Sequence, residues 1–152
     1  MKIYVAGASA QIDLVEGFIA ALKKHSHTIT FDWTVVVRRA GSASPDDLDV
    51  RRAAAESDLR GVERSDLMWL VQPDEASTST GAWVELGYAH ALKDLRGRSV
   101  GVRAAAPPVL VVSGASKKCI FSDLADHRFA SHDDALAFIL EMAPRFGTQT
   151  SA

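Results

Sequence analysis

The segment Ser77-Thr78-Ser79-Thr80-Gly81, followed by Ala82-Trp83-Val84-Glu85-Leu86-Gly87-Tyr88-Ala89, concentrates the chemistry-bearing residues of this chain. Four hydroxyl side chains ahead of a helix-opening glycine exceed what one helix cap uses. With the free N–H groups of a helix start they form a cradle for an anion or a sugar. Glu85 falls in the second turn of that helix. Burying a carboxylate there is costly unless something uses its charge. Two roles are open to it: a structural partner for an arginine or for its own helix N-terminus, and a charge set against a ligand. Trp33, beside Asp32, carries a ring that can stack on a base or pack in the core or an interface. His25 and His27 invite a metal reading, but no further ligand cluster lies at matching spacing, so no metal is expected and both are read as structural or exposed. Gly7-Ala8-Ser9-Ala10 is not the glycine pattern of a dinucleotide site, and no phosphate-binding loop ending in Gly-Lys-Ser/Thr occurs. No cofactor is expected.

Positioning these residues falls to an alternation of strands and helices. Lys2 to Ala6 is a short β-rich run, and Ile12, Val15, Ile19 and Leu22 then recur at helical spacing. A second strand is expected at 28–31, and 34–44 reads as a loop or lid. Ser44-Pro45-Asp46-Asp47 is a helix start, with Ser44 as cap and Pro45 in the first turn, opening a helix over 45–64. The run 66–71 is apolar almost throughout, as for a central parallel strand covered on both faces. A polar loop over 72–80, a helix over 81–95 and a second buried strand over 109–112 follow. Weaker strands are expected at Ile120-Phe121 and around Phe129. Ser131-His132-Asp133-Asp134 is a capping box for a last helix ending near Met142. The helix from Gly81 is apolar nearly all round, which implies burial in the core or under a second subunit.

This order implies a single doubly wound, flavodoxin-like α/β domain over 1–146, with about five parallel strands, helices on both faces and a frayed tail over 147–152. Ligands in that architecture sit beyond the carboxyl ends of the strands. The loops at 7–11, 32–44, 72–81 and 113–118 are therefore the ones that matter. Composition agrees with the class and narrows the partners. In 152 residues, 47% are hydrophobic and the 17 basic against 19 acidic side chains leave a net charge of −2, so neither nucleic acid nor an anionic membrane is an expected partner. Cys119 has no second cysteine to pair with and reads as a buried small apolar residue, and Met1 to Ala8 is too short an apolar run for a secretion signal, so a reducing cytoplasm is expected.

Lys2-Ile3-Tyr4-Val5-Ala6-Gly7, Ser57-Asp58-Leu59 with Gly61-Val62, Ser65-Asp66, and the Gly-x-x-x-Glu-Leu-Gly-x-Ala core from Gly81 to Ala89 recur together in one known group. Over nearly its whole length the chain resembles the nucleoside 2-deoxyribosyltransferase superfamily, which includes the 2′-deoxynucleoside 5′-phosphate N-hydrolases. The resemblance implies that Glu85 is the carboxylate acting at the sugar C1′. It implies that Tyr4 holds that carboxylate and that Asp58 contacts the sugar and assists catalysis. Ser79 stands where the free-nucleoside transferases carry an acidic residue and where the similar monophosphate hydrolases place a serine on the phosphate. Ser122 matches, more loosely, a serine those hydrolases present across a dimer interface. Gly7, Gly81 and Trp33 complete the expected substrate site.

The chemistry is consistent with those roles. Breaking a C1′–N bond develops positive charge on the sugar, which a carboxylate stabilises or captures, while a second group protonates the departing base. A hydroxyl in place of a carboxylate at Ser79 also removes a charge that would repel a phosphate. The chain departs from the hydrolases in having no arginine at 7–11, which leaves Arg38, Arg39, Lys117 and Lys118 as candidate phosphate contacts, and in its longer loop over 72–80. The expected activity is cleavage of a (deoxy)nucleoside 5′-monophosphate to free base and sugar phosphate, by a homo-oligomer. The alternatives are transfer of deoxyribose between bases, a non-catalytic nucleotide-binding or sensing module, and a glycohydrolase acting on a larger nucleotide such as NAD.

Overall fold

A computed structural model describes residues 1–40, 47–73, 79–98, 106–114 and 119–146. Strands β1 (Lys2–Ala6), β2 (Thr28–Ile29), β3 (Leu67–Val71), β4 (Val109–Ser113) and β5 (His127–Phe129) form one sheet in the order β2-β1-β3-β4-β5. All four pairings are parallel. Five helices cover it: α1 (Ile12–Lys24), α2 (Trp33–Ala40), α3 (Leu48–Glu63), α4 (Thr80–Arg98) and α5 (His132–Phe146). The protein is therefore a doubly wound, flavodoxin-like α/β domain. No helix among the described residues is long and apolar enough to cross a membrane.

The strands are buried on both faces because both carry helices. Every residue of β3 is buried, as are Ile3 to Ala6 of β1 and Leu110 to Ser113 of β4. Side chains alternate across the sheet, so Val5 and Trp69, which are register partners, point to one face and Tyr4 and Met68 to the other. On the first face Trp69 packs against Phe18 of α1, and Phe18 against His132 of α5. On the second, Gly61 of α3 lies against the ring of Tyr4, where an added Cβ would come within 2.8 Å of Tyr4 Cδ2. The chain leaves β1 in one direction to reach β2 and returns past it to β3. That reversal opens a crevice beyond the carboxyl ends of β1 and β3, where ligands bind in such sheets.

Several elements depart from the sequence expectation. The stretch 34–44 begins as helix, not loop: α2 runs to Ala40, with Trp33 and Thr34 buried. Its three successive valines favour strand or loop by propensity, but the stripe Trp33, Val36, Val37, Ala40 has helical spacing and packing decides. Residues 41–46 lie outside the described residues, Ser44 and Pro45 among them. Asp47 caps α3, its Oδ1 accepting from the N–H groups of Asp49 at 2.8 Å and Val50 at 3.4 Å. Strand β2 stops at Ile29, and α4 continues past Leu95 to Arg98. Ile120–Leu124 is a 3₁₀ turn, not a strand, whereas β5 forms at Phe129 as expected. Ser131 does cap α5, accepting from the N–H groups of Asp133 at 3.1 Å and Asp134 at 3.3 Å. The proposed tail at 147–152 and the lysines at 117 and 118 lie outside the described residues.

Candidate functional site

A cavity of about 220 Å³ occupies the crevice between β1 and β3. Gly7, the residue after β1, forms part of its wall, and its lack of a side chain is required: a Cβ there would lie 2.8 Å from Val15 Cγ2. Asp58 enters from α3, and Glu85 with Gly81 from α4. Phe31 and Trp33 supply aromatic walls, with Val36 and Val37 of α2 beside them. Of the eight residues expected to form the site, six therefore meet around one cavity: Tyr4 lies fully buried behind Asp58 and does not line it, and Ser122 is elsewhere.

The centre of the site is a cluster of Tyr4, Asp58 and Glu85. Tyr4 is on the middle of β1 with no exposed surface, and its hydroxyl donates to Asp58 Oδ1 at 3.0 Å. The same hydroxyl lies close enough to Glu85 to favour its ionised form. Burial, reinforced by the Asp58 charge, outweighs that contact and pushes the Glu85 carboxyl up to about 7. Burial likewise raises Asp58, with the Tyr4 hydrogen bond opposing. Tyr4 itself is pushed far above its ordinary range, first by burial and then by the two neighbouring negative charges, so it acts only as a neutral donor. It has one proton to give to two carboxyl groups, and it gives it to Asp58. Glu85 is thus held near neutrality, where a residue serving in acid–base or nucleophilic work is most useful.

The other expected residues are present with narrower roles. The Ser79 hydroxyl donates to the Gly7 carbonyl at 3.3 Å and accepts from the Ala82 N–H at 3.4 Å, so it ties the two loops of the cavity and caps α4. Trp33 opens α2, and its indole Nε1–H donates to the Val5 carbonyl at 2.8 Å, leaving ring surface on the cavity. Ser122 is fully buried in the 3₁₀ turn and its hydroxyl donates to the Cys119 carbonyl at 2.6 Å, so within one chain it takes no part in the cavity. Arg38 is not free for a ligand: its guanidinium pairs with Glu16 at 2.8 Å and with Asp13, which binds α2 to α1. Cys119 is half-buried, not buried.

His25 and His27 differ in their surroundings. His25 is exposed, with Nδ1 at 2.9 Å from the Ala21 carbonyl, and His27 is buried with both ring nitrogens unpaired. No group of three metal-ligating side chains occurs among the described residues. Within one chain the core covers only part of the apolar surface of α4. Ala82, Leu86 and Ala89 face the sheet, while Val84 is 58% exposed. Sequence reasoning missed two features here. One is Gly61, whose bare Cα lets α3 lie close enough for Asp58 to reach Tyr4. The other is a relay on the opposite face, where Trp69 Nε1–H donates to Ser113 Oγ at 2.8 Å and Ser113 Oγ lies 2.7 Å from His132 Nδ1. No protein-family model, curated protein or solved structure matches this chain.

Proposed function

We propose that the protein cleaves the N-glycosidic bond of a (deoxy)nucleoside 5′-monophosphate, releasing the base and a sugar phosphate. The observation that carries this reading is the meeting of Glu85, Asp58 and Tyr4, from three separate elements, at one end of a cavity walled by Phe31 and Trp33. The resemblance to the nucleoside 2-deoxyribosyltransferase superfamily agrees with it residue by residue at Tyr4, Asp58 and Glu85. Burial holds the Glu85 carboxyl near 7, so at neutral pH it is partly protonated. Positive charge growing at C1′ as the C1′–N bond breaks makes the anionic form favourable, and Glu85 stabilises or captures the sugar in that form. The departing base nitrogen takes its proton from the carboxyl pair. Water then adds to C1′ and returns a proton to the pair, so the site is restored. Trp33 and Phe31 offer apolar ring surface to the base.

Chromatography of free base after incubation with nucleosides and their 5′-monophosphates tests the reading. Wild-type protein should release base, and Glu85→Gln should lower the rate about 10²–10⁴-fold while circular dichroism shows the fold retained. Full turnover by a folded Glu85→Gln protein refutes it. Base release that rises when a second base is added assigns the sugar to a base acceptor and makes the protein a transferase.

We further read the protein as a homo-oligomer in the cytoplasm. Ile120, Phe121 and Leu124 are 75%, 57% and 50% exposed, and Phe121 and Leu124 border an apolar groove with Leu86, His90 and Leu110. A contiguous apolar surface of this kind is commonly covered in the assembled state.

A further inference from the structure

The carboxylates of Asp58 and Glu85 make one end of the cavity negative, and no cation lines the cavity among the described residues. An anionic group on a ligand is therefore excluded from that end and must lie toward the mouth. Which residue meets it there follows from the register of α3. Gly61 and Val62 are buried, Gly61 against Tyr4, and Asp58 and Ala54 line the cavity one and two turns earlier. At about 100° per residue, Arg51 lies within about 20° of Asp58 around the helix and about 10 Å nearer its N-terminus. The stripe that carries Tyr4's neighbour and the cavity wall thus continues, one turn before Ala54, to Arg51.

Among the described residues the other cations near the cavity are out of place or in use. Arg38 is bound to Asp13 and Glu16. Arg39 is about 100° away from the Trp33, Val36, Val37 stripe of α2. Arg52, next to Arg51 in sequence, points about 120° away from Asp58 and pairs with Asp49 at 3.6 Å. The Asp47 carboxylate is engaged in capping α3. Arg51 is exposed and makes no ion pair among the described residues.

We propose that Arg51 binds the 5′-phosphate of the substrate and is the residue that makes the site prefer nucleotides to nucleosides. This rests on the reading of the cavity as a nucleotide site. Arginine suits the task because its planar fork meets two phosphate oxygens at once. It supplies from α3 the cation that is missing from the loop after β1.

The test compares affinities for the common 2′-deoxynucleosides and for their 5′-monophosphates, by titration calorimetry in a Glu85→Gln background so that no base is released. The monophosphates should bind at least about tenfold more tightly than the nucleosides, the size of one charge-assisted contact. Arg51→Gln should bring that ratio toward one without changing nucleoside affinity, and Arg52→Gln should leave it intact. An unchanged ratio in Arg51→Gln, an equal loss in Arg52→Gln, or failure of either ligand class to bind overturns the assignment. The expected binding pattern with no base release by the wild-type enzyme would uphold Arg51 and refute the catalytic reading instead.

Discussion

Replacing Gly61 by alanine adds one methyl group at the point where α3 lies on β1. A Cβ built there would sit 2.8 Å from Phe31 Cβ, 2.8 Å from Tyr4 Cδ2 and 2.9 Å from Tyr4 Cε2. All three are closer than real carbon atoms approach, and none is the free end of a flexible side chain. Tyr4 is fully buried, so its ring cannot swing away. The helix must move. Overpacking of this kind costs about 1–3 kcal/mol, and three simultaneous clashes place it toward the upper end. Alanine returns at most about 1 kcal/mol through helix propensity, less at a position so near the end of α3. The net expectation is a loss of roughly 2 kcal/mol, which lowers a urea midpoint by about 1 M for a domain of this size. Gly17 of α1 provides the control, since nothing lies within 4 Å of its added Cβ. Gly17→Ala should leave the midpoint unchanged or raise it. The displacement of α3 also carries Asp58 away from the Tyr4 hydroxyl, so Gly61→Ala should lose base release even where it remains folded. A Gly61→Ala protein as stable and active as the wild type would show that α3 does not rest on Tyr4 as described.

Two further predictions concern charge and assembly. Folding raises the Glu85 carboxyl to about 7 from an ordinary 4.5, so its contribution to stability is complete below about pH 4.5 and is lost as pH rises through 7. Glu85→Gln removes that loss: at pH 8 it should be more stable than wild type by roughly 2 kcal/mol and at pH 4 equal to it, and parallel denaturation curves would contradict this. For the assembly, Phe121→Glu places a charge on the exposed apolar surface and should convert an oligomeric wild type to monomer in sedimentation velocity; an unchanged mass would move the interface elsewhere.

The parts of this architecture legible in the sequence are those where one physical signal dominates. Strands β3 and β4 read directly because burial on both faces makes β3 wholly apolar and β4 apolar as far as Val112, and α5 reads from its Ser131 cap. Helix α2 did not, because Thr34-Val35-Val36-Val37 has strand propensity and its helical stripe is only four residues wide. The 3₁₀ turn at Ile120–Leu124 failed for the same reason: two large apolar residues looked like strand where the fold leaves them exposed. Within the site, Glu85 and Ser79 stood out through their place at a helix start. Tyr4 and Asp58 are 54 residues apart and carry no mutual signal; the resemblance set both in one site but gave Tyr4 to Glu85, whereas its hydroxyl donates to Asp58. Gly61 has no signal of its own in the sequence, since the need for a bare Cα appears only when α3 is laid on Tyr4. Arg51 is one of several charges along α3 and gains a role only through the register that sets it on the Asp58 side of the helix.

Trp33 has a consequence beyond the cavity. Strand β2 covers only the first part of β1: Thr30 N–H donates to the Ile3 carbonyl at 2.9 Å, and two residues further on the Val5 carbonyl would face outward with no strand to meet it. The indole of Trp33 takes that place at 2.8 Å. The edge of a sheet is where a second chain can add a strand, and an unpaired carbonyl beside a bare edge is an invitation to do so. Here a side chain closes the row, so the sheet is protected from strand-by-strand association along this margin without spending a longer β2 that would have walled off the crevice beside it.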